Sequence, residues 1–252
     1  MPVNWDGFFW LLALLGPMLL LQRKLHREIQ AIFLLLTGNL KIALLLFSFI
    51  FLPGVLLHEL SHFIMAKLLQ VRTGKFSLSP QNLEDGRLQL GYVETARTDL
   101  VRDALIGIAP LVAGGLFVIF AGLTRLNLDQ LWQDVVVQSN LDFGSALRLA
   151  TGRPDFWLWF YLIFTVSSTM LPSASDRRAW KPLALIFLLL AGFSLAAGAG
   201  PWLVANVLPL LNRGLRVLAL VFGISLATHL TLLFPVWGVR LGISRLLHKT
   251  VL

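Results

Sequence analysis

With 252 residues, 57% of them hydrophobic and none of them cysteine, and with a mean hydropathy of +0.77, the chain is too apolar for an ordinary soluble domain. Disulfides and thiolate metal sites are excluded. The net charge of +8 would suit nucleic acid in a soluble protein, but here Lys and Arg cluster in short loops, where they set orientation against an anionic leaflet, so no nucleic-acid partner is expected.

Six apolar segments, 8–21, 42–66, 104–123, 156–172, 183–199 and 215–236, mostly approach the roughly 20 residues needed to cross the hydrocarbon layer. Trp5, Trp10, Trp157, Trp159, Trp202 and Trp237 stand near their ends, as an aromatic interface belt would place them. This predicts an all-α polytopic membrane protein with about six transmembrane helices in a lipid bilayer. The first segment reads as a membrane helix, because "MPVNWDG" carries no positive charge and no small-residue cleavage site precedes "QRKLHRE". Residues 22–41, half basic and half apolar, read as an interfacial turn that closes a first unit, 1–41. Pro53 and Gly54 interrupt the second helix one turn before His58, either as a break beside an internal site or as a packing kink.

After Val71 the period changes to two, with Phe76, Leu78, Leu88, Leu90 and Tyr92 flanking Asp85-Gly86, which predicts a small β-hairpin over 72–96. Segments 124–155 and 200–214 read as interfacial pieces. A core unit is expected over 42–185 and a C-terminal unit of membrane helices and basic tail over 186–252. With 67–103, 173–182 and 237–252 on the cytoplasmic side beside the N-terminus, twelve Lys and Arg face nine on the other side.

Between residues 42 and 66 the only titratable side chains are His58, Glu59 and His62, in "HELSH". An ionisable group at a bilayer centre costs roughly 2.5–3.5 kcal/mol on insertion scales, and marks a functional site. On a helix the two histidines stack on one face, one turn apart. They can there share one Zn²⁺ at about 2.0–2.1 Å from each nitrogen. Glu59 projects beside the metal, where it can take a proton from the activated water.

A catalytic zinc needs a third protein ligand. Asp176, after the fourth helix, is the first choice; capping the helix that begins near "DRRAWKPLAL" is its other reading. His229 on the sixth helix is either a hydrogen-bonded interhelical residue or that third ligand. The hairpin acids Glu84, Asp85 and Glu94 read as solvated.

In series, "HELSH" within a membrane helix, a β-hairpin region, the small-residue helix "LIGIAPLVAGG", and a membrane helix ending in Pro172 before Asp176 resemble the site-2 protease family of intramembrane zinc metalloproteases. The likeness covers about residues 42–185. Ser168 or Thr169 stands where that family usually has Asn, Arg177 where it has Gly, and Ala113 where Asn is typical. The resemblance implies a three-helix catalytic core, zinc held by His58, His62 and Asp176, and Glu59 as general base. It implies cleavage of a membrane protein or peptide in regulated intramembrane proteolysis, at a bacterial plasma membrane, with "RLQLGYVE" offering a strand edge to substrate. Two alternatives stand beside it: a catalytically inactive relative that binds membrane partners, and a metal transporter.

Overall fold

The computed structural model describes residues 5–82, 88–129, 133, 144, 148 and 151–249. The Asp85-Gly86 turn, with Glu84, and most of 124–155 lie outside the described residues. The chain is mostly helical. Helix α1 runs Asp6–Thr37, α2 Leu40–Leu68, α3 Leu100–Phe120 with a π-helical continuation Ala121–Arg125, α4 Phe156–Thr169, α5 Trp180–Ala196 and α6 Leu208–Leu247. Helical turns at Gly200–Trp202 and Leu203–Val207 lead directly into α6. Four of these, α1, α2, extended α3 and extended α6, are long and apolar enough to cross a membrane, while α4 and α5 are apolar but shorter.

Between α2 and α3 the predicted hairpin is two nested antiparallel pairs. Strand β1 (Thr73–Ser77) pairs with β4 (Tyr92–Thr95), and β2 (Gln81–Asn82) with β3 (Leu88–Gln89).

Two expectations about the first two helices are corrected. Residues 22–37 are not an interfacial turn but the second half of one 32-residue helix, α1. The reversal is confined to Gly38, in the left-handed region at φ 61°, and Asn39, whose side chain accepts from the backbone N–H groups of Lys41 and Ile42 to cap α2. The second correction is that α2 continues through Pro53 without a break. Gly54 instead permits close packing: a Cβ there would collide with the Thr165 carbonyl of α4. Four residues earlier, the Tyr161 hydroxyl donates to the Ile50 carbonyl at 2.8 Å.

These contacts fix directions. Ile50, Gly54 and His58 of α2 meet Tyr161, Thr165 and Thr169 of α4 in rising order, so the two helices are parallel. Helix α3 is antiparallel to α4, with Gly107 against Asp176, Gly114 against Met170 and Phe117 against Trp159. Helix α6 lies against α1. Asn212 and Arg216 bond Asp6, Gly223 meets Leu14, and Arg240 pairs with Glu28. The order rises on both chains, so α1 and α6 are parallel.

Alternation through six crossings would make α1 and α6 antiparallel. The end of α6 therefore lies with the α1–α2 turn, not with the hairpin. Moving Arg240, Arg245 and Lys249 to the far side, and Arg213 and Arg216 to the near side, turns twelve against nine into eleven against ten. The positive-charge bias vanishes.

The core fills the space between these helices mainly in two clusters, with a smaller one of Ala66, Val71 and Ile106 beside the end of α2. Met18, Val118, Ile163, Val166, Met170, Val221 and Phe222 form one. Leu25, Phe47, Phe51, Val55, Phe164 and Leu233 form the other. By contrast no residue of α5 is buried, and Leu188 and Phe193 are 70% and 75% exposed.

Candidate metal centre

Three of the predicted residues converge. Donor atoms of His58, His62 and Asp176 all lie within 4.8 Å of one another. The Nε2 atoms of the two histidines are 3.2 Å apart. Oδ2 of Asp176 is 3.8 Å from His58 Nε2, and Oδ1 is 3.5 Å from His62 Nε2. Donors about 2.0–2.1 Å from a tetrahedral ion stand roughly 3.3–3.4 Å apart, so two imidazoles and a carboxylate at these separations fit one metal ion.

The helix supplies the histidine pair through its four-residue spacing, and α3 orients one ring. Nδ1 of His62 lies 2.8 Å from the Ile106 carbonyl. A carbonyl only accepts, so Nδ1 carries the proton and Nε2 presents its lone pair to the site. His58 is held less firmly. The Thr169 backbone lies beside it, but among the described residues its buried Nδ1 finds no hydrogen-bond partner of good geometry.

Asp176 arrives on the irregular segment between α4 and α5. Its Oδ2 accepts from the Ser173 N–H at 2.7 Å and the Ser173 hydroxyl at 2.6 Å. Burial alone would raise this carboxyl; a protonated His62 ring beside it and the two hydrogen bonds from Ser173 act the other way and hold it below the ordinary carboxylate range. The group is an anion at neutral pH, the form that ligates a metal. Asp176 does not cap α5, which starts at Trp180 with no side-chain cap at Ala179.

Glu59 faces the same cleft, of about 710 Å³, whose other walls are Leu90–Val93 and Thr95 of the hairpin region, Ile106 and Gly107 of α3, and 173–176. It is 7% exposed. Gly91 lets the hairpin approach it: a Cβ there would stand 2.9 Å from Val55 and 3.0 Å from Glu59 Cγ. Glu94 is elsewhere, with its carboxylate accepting from the Lys75 N–H.

His229 is not in the cluster. It is fully buried, with Nδ1 2.7 Å from the Ser225 carbonyl and Nε2 2.9 Å from the Ser168 hydroxyl. It ties α6 to α4 instead. Sequence reasoning missed Asp103 and Arg178, which also line the cleft, and the Ile106 carbonyl. Polar residues at helix ends look like solvated surface, and a backbone acceptor leaves no signal in residue identity. No protein-family model matches the chain, and no curated protein or solved structure does either.

Proposed function

We propose that the chain is an intramembrane zinc metalloendopeptidase that hydrolyses a peptide bond in or near a transmembrane segment. One observation carries this reading: two imidazoles and a carboxylate from segments far apart in the sequence meet at metal-ligand separations, beside a buried Glu59. A structural metal site has no need of such a neighbouring base.

His58, His62 and Asp176 would hold the ion. Zinc, when bound, acts as a Lewis acid that lowers the pKa of water towards about 7 and polarises a carbonyl. Glu59 takes the proton of the attacking water on its carboxylate and delivers it to the departing amine nitrogen. The Asp176 carboxylate, pinned by Ser173, is ordered before the ion arrives. Strand β4 pairs on one side with β1, and Tyr92, Val93 and Thr95 lie along the cleft. A substrate segment unwound to an extended strand can add there through main-chain hydrogen bonds.

The chain sits in a lipid bilayer, in our reading a bacterial plasma membrane. Helices α1, α2, α3, α4 and α6 cross it; α5 returns to the side it left, because parallel α1 and α6 allow only three crossings between them. The apolar, unburied surface of α5 lies against acyl chains on the same side as the hairpin.

The test uses full-length protein in detergent micelles and a helix-destabilised transmembrane peptide. Wild type contains one zinc and cleaves the peptide. Glu59→Gln keeps the zinc and loses cleavage by about 10²–10⁴-fold. Undiminished cleavage in that variant refutes the assigned role. Zinc without cleavage of any such peptide favours a partner-binding relative, and zinc flux into liposomes favours a transporter.

A further inference from the structure

The third ligand sits on a segment without regular secondary structure, so something must place it to within a fraction of an ångström. We infer that Asp103 and Arg178 form a latch that positions Asp176, and that one turn of α3 thereby sets two of the three metal ligands. This rests on the metal-site reading above.

The geometry is that of a two-pronged clamp. Arg178 Nε donates to Asp103 Oδ2 at 2.8 Å and Nη2 donates to Oδ1 at 2.6 Å. Planar guanidinium and carboxylate matched in this way resist rotation, as a Lys ammonium cannot. The Asp103 side chain is 17% exposed, unlike the nearby Arg102–Asp99 pair, in which both partners are more than half exposed. Helix α3 does not require Asp103 as a cap, because Asp99 already accepts from the N–H groups of Val101 and Arg102.

Arg178 lies two residues beyond Asp176, and a second contact works from the same turn. The Asp176 carbonyl rests against Gly107 so closely that a Cβ would collide with it. Between these points, the Ile106 carbonyl holds the His62 ring. Asp103, Ile106 and Gly107 thus fix acid and histidine relative to one rigid helix, an outer shell around the ligands.

Zinc affinity of the purified full-length chain, read by competition with a chromophoric chelator, tests the latch. Asp103→Asn and Arg178→Gln should each weaken zinc about 10–100-fold, the usual cost of losing an outer-shell partner. The double variant should be no weaker than either single one. Arg178→Lys keeps the charge and loses the fork, and should resemble Arg178→Gln. The sign is decisive. If the pair acted only through long-range charge, removing the Arg178 cation would tighten zinc, so unchanged or tighter binding in Arg178→Gln overturns the latch. Additive losses in the double variant overturn it too. A wild-type chain that takes up no zinc overturns the metal-site reading first, and the latch with it.

Discussion

The α2–α3–α4 core and the α1–α6 pair are both close-packed, yet the balance of what fixes them differs. In the core, backbones approach through glycine: Gly54 against Thr165, Gly107 against Asp176, Gly114 against Met170. Small residues of this kind are how helices in an apolar solvent gain contact without a hydrophobic driving force. The α1–α6 pair has one such approach, Gly7 against the Asn212 carbonyl at its start, and is otherwise fastened by ion pairs, Asp6 with Arg216 near that end and Glu28 with Arg240 towards the other. Close backbone contact fixes depth and rotation at the candidate metal centre, whereas end clamps fix direction and leave the middle of the pair to ordinary side-chain packing.

The largest test of that contrast is all-or-none. The chain has no cysteine, so single cysteines report without background. Thr98→Cys and Lys249→Cys, exposed to a membrane-impermeant maleimide on intact oriented vesicles, should label from opposite sides. Labelling from the same side would restore six crossings and break the parallel arrangement of α1 and α6.

Glycine substitutions sharpen the comparison, with opposite signs expected at Gly54 in the core and at Gly223 in the middle of the pair. At Gly54 an added methyl meets the Thr165 carbonyl, and Gly54→Ala should destabilise by about 1–3 kcal/mol, the usual cost of overpacking. At Gly223 on α6 the nearest atom to a new Cβ is Leu14 Cδ1 at 3.6 Å, an ordinary contact. Gly223→Ala should be neutral or stabilising by up to about 1 kcal/mol, the propensity difference in a helix. Thermal unfolding in one detergent measures both.

Legibility in the sequence follows the same division. His58, Glu59 and His62 stood out because ionisable groups are costly where they occur, and Asp176 because its helix ends on the right side of the fold. The hairpin was visible through its period of two. Direction was not visible: nothing in the composition of 183–214 says whether α5 crosses, and Arg23, Lys24 and Arg27 disguised the continuity of α1. The roles of Asp103 and Arg178 depend on a contact spanning 75 positions, and such a pairing has no local pattern.

The smallest expected effects concern the polar link between the two regions. Nδ1 of His229 donates to Ser225, so Nε2 must accept, and the Ser168 hydroxyl is its donor. Neighbouring Thr165, Ser167 and Thr169 hydroxyls all bond back to carbonyls of their own helix. Ser168 can do the same once His229 is gone, so His229→Leu leaves no orphaned hydroxyl. It should cost about 0.6 kcal/mol, the average for interhelical hydrogen bonds in membrane proteins. Ser168→Ala strands a buried imidazole nitrogen instead, at about 1–3 kcal/mol. Chemical denaturation of both variants should give the larger loss to the serine, the smaller side chain, with zinc content unchanged in each. Equal losses would mean that the hydroxyl does not turn back, and that α6 holds α4 by this bond more firmly than the end clamps suggest.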